Sequence, residues 1–260
     1  MNPQGIYTLV SHGKAVQRRM DATANNLANV TTNGYKADQP VFRQVFARTM
    51  GSAKESDEEV FATQEHLAPY TGRGTNYVAA DDMGKNFDPG RIEHTGNPMD
   101  IALTGRDTFF SVQTPQGERF TRAGKFHLSP DNTLVSQEGY TVNGKQGPLR
   151  LEGNDVRVSE DGSVYVDGER AGGIKVVRFP QPERLQKLGG AMFAPVDEAN
   201  APRIAEDVQM EQGAVESSNV NQIKEMVNMI EANRAYGQMQ RALTAADQMN
   251  ERALSLARTT

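Results

Sequence analysis

The histidines are the residues with which this chain could most readily hold a metal ion or move a proton. The chain has 4 of them, and two imidazoles grip one ion from a helix only when they lie a turn apart, as in H-x-x-x-H. No pair has that spacing, so the sequence predicts neither a metal site nor a cofactor. The histidines are His12, His66, His94 and His127.

Two carboxylate pairs and one glycine-rich stretch are the other candidates for chemistry. Asp81-Asp82 and Glu160-Asp161 lie in turn-like sequence, where a solvated loop explains them better than acid–base catalysis does. The run "TGRGTN" at 71–76 lacks the G-K-[ST] with which a phosphate-binding loop holds a nucleotide. The serine-hydrolase pattern G-x-S-x-G does not occur. We therefore predict that the chain is not an enzyme.

The composition of the chain excludes several further kinds of site and partner. The 260 residues include no Cys, which excludes disulfides, thiolate metal centres and cysteine nucleophiles. The net charge of −5 argues against a nucleic-acid partner. No apolar run approaches the roughly 20 residues that a membrane helix needs, and "MNPQGIYTLVSHGKAVQRR" has no apolar signal core. We expect no direct membrane insertion and no cleaved signal peptide.

An apolar stripe near the N-terminus predicts the first of the elements that must carry the function. Its members alternate at steps of three and four residues, the spacing with which one helix packs along another. Asn33-Gly34 is a stop signal, because both residue types tolerate a left-handed backbone. We predict a helix over residues 5–30, with a stripe formed by Ile6, Leu9, Gly13, Val16, Met20, Thr23, Leu27 and Val30.

Residues 216–260 predict a second helix. They contain no Pro and a single glycine, Gly237. Ser217 or Ser218 is expected near the helix start, where a hydroxyl can accept a bond from a first-turn N–H. The apolar positions of this helix are Val220, Ile223, Val227, Met229, Ile230, Tyr236, Met239, Leu243 and Ala246.

Between the helices the sequence changes character. Residues 36–90 are polar and turn-rich, which predicts an irregular or extended arm. Residues 91–200 contain short β-rich runs separated by turns, such as the hairpin signal Pro115-Gln116-Gly117 and the valines around Asp161-Gly162. This pattern is typical of a small antiparallel β domain.

The predicted fold class is therefore α+β, with long N- and C-terminal helices that form a coiled-coil-like pair, a central antiparallel all-β domain and an irregular arm. A small β domain cannot cover two such long apolar faces, so we expect both ends to be disordered in the monomer and to fold on assembly. We also expect the β domain to stay folded without 1–35. The predicted segments are a core helix at 1–35, an arm at 36–90, a β domain at 91–200, a return segment at 201–215 and a core helix at 216–260.

Three stretches resemble one family in its order along the chain. "ANNLANVTTNGYK" (24–36) and "VESSNVNQIKEMVNMIEANRAYGQMQRAL" (215–243) resemble the terminal signatures of the bacterial flagellar rod and hook proteins. "TGNPMDIALTGRDTFFSVQTPQGERFTRAGKFHLS" (95–129) resembles the start of their β domain. The likeness is greatest to the proximal rod protein, with the distal rod protein second and a hook-type axial protein as a further alternative.

The resemblance implies a structural protein of the flagellar basal body, in the periplasmic rod, that transmits torque from motor to hook. Such proteins pass through the flagellar export apparatus without a cleaved signal and pack their terminal helices into a tube. The implied partners are other copies of the chain and neighbouring rod and hook proteins. An exported hydrolase or binding module with coiled-coil ends is the alternative from another class.

The motif positions and the apolar stripes together define a predicted assembly interface. We interpret Asn25, Asn26 and Asn29 as register-setting contacts to neighbouring subunits, because an amide at a helix interface can both donate and accept. Two departures from the family pattern are Gly237 and Arg106-Asp107-Thr108, where we expect altered local geometry. The predicted interface residues are Ile6, Leu9, Val16, Met20, Asn25, Asn26, Leu27, Asn29, Val30, Asn219, Val220, Ile223, Met226, Val227, Ile230, Arg234, Tyr236, Met239 and Leu243.

Overall fold

The computed structural model describes residues 3–48, 74–153 and 155–258. The chain forms two compact units. The β unit contains Ala22–Gln39 and the described part of Gly84–Asn228, and the terminal unit contains the described parts of Met1–Asp21, Pro40–Met83 and Met229–Thr260.

Two long helices occupy the two ends of the chain, as predicted. Helix α1 is Pro3–Ala28 and helix α2 is Gln222–Arg258. α1 ends in turns that lead to Gly34, whose φ of 68° is left-handed. The predicted stop at Asn33-Gly34 therefore lies just beyond the helix, at a position whose backbone favours glycine.

The start of α2 differs from the prediction. The helix begins at Gln222 instead of near Glu216, and its cap is Asn221, whose Oδ1 accepts a bond from the Lys224 N–H at 3.0 Å. Ser217 has a different role, since its hydroxyl donates to the Arg91 carbonyl at 2.9 Å. The five residues before the cap are needed elsewhere, in a strand and a buried polar site.

Helix–helix contacts within the terminal unit join α1 to α2. A Cβ at Gly13 would lie 2.8 Å from the Met239 methyl carbon, so the glycine lets the two helices approach closely. Arg19 and Glu231 form an ion pair at 3.4 Å between partly exposed side chains. Gly237, where we expected altered geometry, lies within the unbroken α2, and a Cβ there would contact the Arg241 guanidinium at 3.7 Å.

The predicted arm contains strands. β1 is Asp38–Arg48, β2 is Gly74–Lys85, and the two form a two-stranded sheet. The described parts of the arm are therefore extended. The acidic run within 51–65 lies outside the described residues, as does His66.

The β unit consists of short strands, as the turn spacing predicted. In the described part of this unit, every pairing between strands is antiparallel. Its strands are β3 Ile92–His94, β4 Ile101–Leu103, β5 Thr108–Thr114, β6 Gly117–Thr121, β7 Phe126–Leu128, β8 Leu134–Ser136, β9 Thr141–Gly144, β10 Gly147–Pro148, β11 Val156–Val158, β12 Ser163–Val166, β13 Glu169–Gly173, β14 Val176–Arg178, β15 Leu185–Lys187, β16 Met192–Pro195, β17 Arg203–Ile204, β18 Met210–Gln212 and β19 Ala214–Glu216.

The largest sheet has the strand order β15-β16-β6-β5-β9-β8-β7, with β10 on β9 and β14 between β5 and β17. The predicted hairpin at 115–117 is present, since β5 pairs with β6 and Thr114 lies opposite Gly117. The predicted valine hairpin is also present, with Val156 opposite Val166. Two further strands, β18 and β19, pair with β4 and β3 and thereby bring the chain back towards α2.

Strand β5 separates two apolar clusters, because successive side chains of a strand point to opposite faces. Phe109 belongs to an aromatic cluster with Phe87, Phe179 and Phe193, in which ring centroids lie 5.3–5.8 Å apart. Phe110 belongs to the larger aliphatic cluster of the β unit. The Phe pair that follows Arg106-Asp107-Thr108 thus fills both sides of the sheet.

Replacing Phe110 should show how far the β unit depends on this strand. Its side chain is fully buried and meets Phe126 edge-on at 5.0 Å. We expect Phe110→Ala to lower the free energy of unfolding by about 3–5 kcal/mol, measured by urea denaturation of the full chain. The control is Ile204→Ala, whose side chain is 64% exposed and whose loss should cost about 0.5 kcal/mol or less. Equal losses in the two variants would contradict this account of the core.

Candidate functional site

A buried carboxylate forms the centre of the most connected polar site in the described chain. Glu216 lies at the end of β19, and its side chain is 1% exposed. Its Oε1 accepts bonds from Lys36 Nζ at 2.7 Å and from the Gly90 N–H at 2.8 Å, and its Oε2 accepts one from Arg122 Nε at 2.7 Å. One side chain therefore joins three distant segments of the β unit.

Arg122 is the second cation on this carboxylate, and its side chain is 0% exposed. Its guanidinium also donates to main-chain carbonyls of Leu103 at 3.1 Å, Thr108 at 2.8 Å and Gly105. Such charge-assisted bonds from a planar fork fix both position and orientation. Arg122 thus holds the turn at 105–108 that leads into β5.

Lys36 completes the pair of cations, and its Nζ also donates to the Asp88 carbonyl at 2.9 Å. Two positive charges face one negative charge here, so carbonyl dipoles must balance the excess. Burial lowers the pKa of Lys36, the Glu216 carboxylate opposes that shift, and the Arg122 charge adds to it.

A second ion pair lies beside the first. Lys187 Nζ is 3.0 Å from Asp38 Oδ1 and donates to the Lys36 carbonyl at 2.7 Å. The same ammonium lies 3.5 Å from the centroid of the Tyr35 ring, a cation–π contact. Burial lowers the pKa of Lys187, while the Asp38 carboxylate opposes that shift. The site therefore holds residues 35–38 from two directions.

Asn26 fixes the end of α1 in this site. The residue is 2% exposed, its Oδ1 accepts the Asp38 N–H at 2.8 Å, and its Nδ2 donates to the Asp38 carbonyl at 2.9 Å. The Tyr35 hydroxyl donates to the same Oδ1 at 3.3 Å. The amide thus pairs with a backbone as a neighbouring strand would. Asn26 is therefore bonded within the chain, and its interpretation as a contact to a neighbouring subunit stays a prediction.

The other two asparagines of that interpretation are also bonded within the chain. Asn25 Nδ2 donates to Asp38 Oδ2 at 2.8 Å, although Asn25 as a whole is exposed. Asn29 Nδ2 donates to the Asn25 carbonyl at 2.9 Å, and the same carbonyl accepts the Asn29 N–H at 3.2 Å near the end of α1. Contacts from these two residues to neighbouring subunits stay a prediction.

Asn219 has the same role near the start of α2 that Asn26 has at the end of α1. Its Oδ1 accepts the Ala37 N–H at 2.8 Å, and its Nδ2 donates to the carbonyls of Asn86 at 2.8 Å and Asp88 at 3.0 Å. The two asparagines thus bind main-chain groups of residues 37, 38, 86 and 88 with their side-chain amides. We call the whole set the junction, formed by Asn26, Gly34, Tyr35, Lys36, Asp38, Arg122, Lys187, Glu216 and Asn219.

Gly34 fits the junction only because it lacks a side chain. Its N–H donates to the Glu216 carbonyl at 2.7 Å, and a Cβ there would collide with the backbone of Arg122 and Ala123. Residues 26–35 are therefore part of the β unit. This contradicts the expectation that the β domain stays intact without 1–35, since that deletion removes Asn26, Gly34 and Tyr35.

The other predicted interface residues divide by exposure. The apolar side chains near the start of α2 are open to solvent: Ile223 76%, Met226 43%, Val227 50% and Ile230 53%. Arg234 is exposed as well, Val16 is buried, and the side chain of Ile6 lies outside the described part of the chain. Those of intermediate exposure are Leu9, Met20, Leu27, Val30, Val220, Tyr236, Met239 and Leu243.

The charged members of the junction are absent from the site residues predicted from the sequence. Lys36, Arg122 and Glu216 each stand beside residues of strand-like sequence, as in "AVES" and "FTRAG", and a charge amid apolar neighbours was the signal that could have marked them. The pairings themselves were out of reach, because Lys36 and Glu216 are 180 positions apart.

The described residues also bear on metal binding and on membrane insertion. Among them, no group of three or more His, Cys, Asp or Glu is placed to hold a metal ion. Within the same residues, no helix is both long and apolar enough to cross a membrane.

Three family models match the chain. One described as flagella basal body rod protein matches residues 6–36, one described as the flagellar hook protein FlgE/F/G D1 domain matches 102–166, and one described as flagellar basal body rod FlgEFG protein C-terminal matches 211–256. The first and last of these ranges contain both asparagines of the junction together with Lys36 and Glu216, and the middle range contains Arg122.

Full-length relatives agree with the models. The chain is 31% identical over 251 residues to the flagellar basal-body rod protein FlgG of Buchnera aphidicola subsp. Baizongia pistaciae, covering 90% of this chain and 92% of that protein. It is 32% identical over 234 residues to FlgF of Caulobacter vibrioides, covering 89% and 88%. It is 31% identical over 259 residues to FlgG of Borreliella burgdorferi, covering 95% and 96%.

Removing the negative charge of Glu216 should destabilise the β unit strongly. Glu216→Gln leaves Lys36 and Arg122 buried without a counter-charge, and we expect a loss of about 3–5 kcal/mol in the free energy of unfolding, measured by urea denaturation. The matched control is Glu211→Gln, because Glu211 and its partner His94 are 40% and 74% exposed. That change should cost about 0.5 kcal/mol or less. A Glu216→Gln variant as stable as its control would refute the central role of the carboxylate.

The Tyr35 hydroxyl should keep its proton when ordinary tyrosines lose theirs. Burial raises its pKa above the usual 10.0, and the negative charge of Asp38 adds to the shift. The unfolded chain ionises first, so this contribution to stability is full below pH ~10 and declines as the pH rises further. The stability difference between wild type and Tyr35→Phe should therefore shrink above pH ~10. Phenolate absorbance should show no difference between the two at pH ~11 until the chain unfolds. A difference in the folded state would contradict the burial of this hydroxyl.

Proposed function

The chain belongs to the flagellar basal-body rod protein family, and we propose that it joins the rod through the exposed apolar side chains of α2. As a member of that family it is a structural subunit of the rod. The observation that carries the proposal is the stripe formed by Ile223, Met226, Val227 and Ile230, whose side chains are 43–76% exposed.

The stripe has the geometry of a helix interface. Its members lie three, four and seven positions along from Ile223, so they share one face of the helix. Burying a Val, Ile or Met side chain contributes about 1.5–3 kcal/mol, and a contiguous apolar patch on an ordered helix marks a contact surface. Neighbouring copies and other rod and hook components are the partners that the family offers.

We propose further that α1 and α2 act as a coiled-coil-like pair. The contact of Gly13 with Met239 and the ion pair of Arg19 with Glu231 both lie in the terminal unit. Their order is opposite along the two helices, as it is in an antiparallel pair. Pairing of this kind leaves a helix face free for neighbours, and disorder of both ends in the free monomer stays a prediction.

The junction supports a mechanical role. A subunit of a drive shaft must pass force between its helices and the rest of its fold without slipping. Buried charge pairs and amide–backbone bonds resist such slipping, because they lose their energy when atoms move by an ångström or two. The junction holds the end of α1 and the approach to α2 in the β unit in this way.

Location and class follow from the family. We propose that the subunit acts in the periplasmic rod of the basal body, passes through the flagellar export apparatus without a cleaved signal, and has no enzymatic activity. The alternative of an exported hydrolase or binding module is not favoured, since the relatives are named as rod proteins. Relatives named FlgG and FlgF match at similar identity, so placement in the proximal instead of the distal rod remains a prediction.

A charge placed in the α2 stripe should block assembly without unfolding the subunit. Val227→Asp puts a carboxylate where the proposed interface excludes water, and we expect motility and rod incorporation to fall about tenfold or more. Swarming of a complemented deletion strain and the amount of subunit in purified basal bodies measure this.

The matched control is Ala242→Asp, a like charge on an exposed position of the same helix, whose spacing from Ile230 places it on a different face from the stripe. It should swarm as the wild type does. Both purified variants should retain the urea midpoint of the wild type, which separates assembly from folding. Normal incorporation of Val227→Asp would rule out the stripe as the assembly surface.

A further inference from the structure

The Asn33-Gly34 pair can undergo a covalent reaction that plays no part in the proposed rod function. In an unfolded chain, an asparagine followed by glycine brings its side-chain amide within reach of the next backbone nitrogen, because glycine has no side chain to obstruct it. We propose that Asn33 is a deamidation site which is open in the unfolded chain and closed by the junction, and that the isoaspartate product can no longer form the junction.

The folded junction holds the attacking nitrogen away from the amide. The Gly34 N–H donates to the Glu216 carbonyl at 2.7 Å, and Gly34 is buried with its backbone fixed at a φ of 68°. The following residues, Tyr35 and Lys36, are almost fully buried. The nitrogen can turn towards Asn33 only after this hydrogen bond and its neighbours open, so the reaction must wait for local unfolding.

The reaction needs no reagent other than water. The Gly34 nitrogen attacks Cγ of Asn33, a C–N bond forms, and the C–N bond to the side-chain amide breaks. The Gly34 proton leaves with that nitrogen as ammonia, which gives a succinimide. Water then opens the ring at one of its two carbonyls. One opening yields aspartate with the original main chain, and the other yields isoaspartate, whose main chain runs through the side-chain carbon.

The two products should differ in their ability to fold. Isoaspartate lengthens the main chain by one carbon directly before Gly34, where even a Cβ would collide with the backbone of Arg122 and Ala123. Asn26 and Lys36 lie on either side of this point and both must reach fixed partners. Aspartate leaves the main chain unchanged. A chain that forms isoaspartate at position 33 before it folds therefore cannot form the junction.

The chain contains an internal reference for this reaction. Its other Asn-Gly pair is Asn143-Gly144, which lies in β9, where Asn143 Nδ2 donates to the Ser111 hydroxyl at 2.7 Å. This pair is held by the sheet and not by the junction, so the two sites report different parts of the β unit.

The test incubates the full chain at pH ~8, above which backbone amides become better nucleophiles, in native buffer and in guanidinium. Peptide mapping then locates the amide-to-acid mass change. We expect both pairs to react in guanidinium and both to slow on the order of a hundredfold in native buffer. In native Asn219→Ala, which removes the amide bonds to Ala37, Asn86 and Asp88 but leaves the buried charges paired, Asn33 should react roughly tenfold faster while Asn143 stays slow. Asn33→Gln removes the signal at 33 and is the assignment control.

The fate of the products completes the test. Chains carrying isoaspartate at 33 should fail to regain hydrogen-exchange protection at Gly34, whereas Asn33→Asp should regain it. Equal reaction of native and denatured wild type would overturn the proposal. Equal acceleration at both pairs in Asn219→Ala would assign the closure to the whole β unit instead of the junction. Normal refolding of the isoaspartate chains would refute the exclusion of aged chains.

Discussion

One carboxylate, that of Glu216, determines how both ends of the chain enter the β unit. It is shared by Lys36, which follows α1, and by Arg122, which holds the turn before β5. Taking these charges out of water costs several kcal/mol for each ion, and the cost is offset only when every donor finds an acceptor. The carbonyls of Asp88, Leu103 and Thr108 supply the remaining acceptors. The buried charges are stabilised only when all these partners are in place, so the site specifies one arrangement of these segments.

The side-chain amides of Asn26 and Asn219 extend this logic to the backbone groups around residues 34–38 and 216–219. Residues 34–38 and 216–219 lie beside each other with few strand-type bonds between them, and buried backbone groups must be satisfied by some partner. Asn26 supplies both bonds to Asp38, and Asn219 supplies one to Ala37 and two to Asn86 and Asp88. An asparagine suits this role because its amide presents a donor and an acceptor together.

The sequence predicted the features that depend on local interactions, and it did not predict those that depend on residues far apart in the chain. Apolar periodicity predicted α1 over 5–30, and the helix is Pro3–Ala28. Turn chemistry predicted the hairpin at 115–117. Both signals are local. The predicted start of α2 was wrong, because the polar residues from Glu216 onward are compatible with a helix start. Only the partners of the Glu216 side chain show that this residue belongs to a strand. Those partners, Lys36 and Arg122, lie 180 and 94 positions away, and no spacing rule connects them.

Asn26, Asn219 and the apolar stripe of α2 were all predicted to lie at the assembly interface, but the two asparagines are bonded within the chain whereas the stripe is exposed. A buried polar network is directional and tolerates one geometry, so it suits contacts that must be identical in every copy, such as those within a subunit. Apolar burial is non-directional, so the same stripe on α2 can pack against neighbours whose surfaces differ. A rod subunit meets copies of itself and also other components, and a surface that adapts serves both. Asn26 and Asn219 therefore hold the same fold in every copy, and Ile223, Val227 and Ile230 are suited to bind neighbouring subunits.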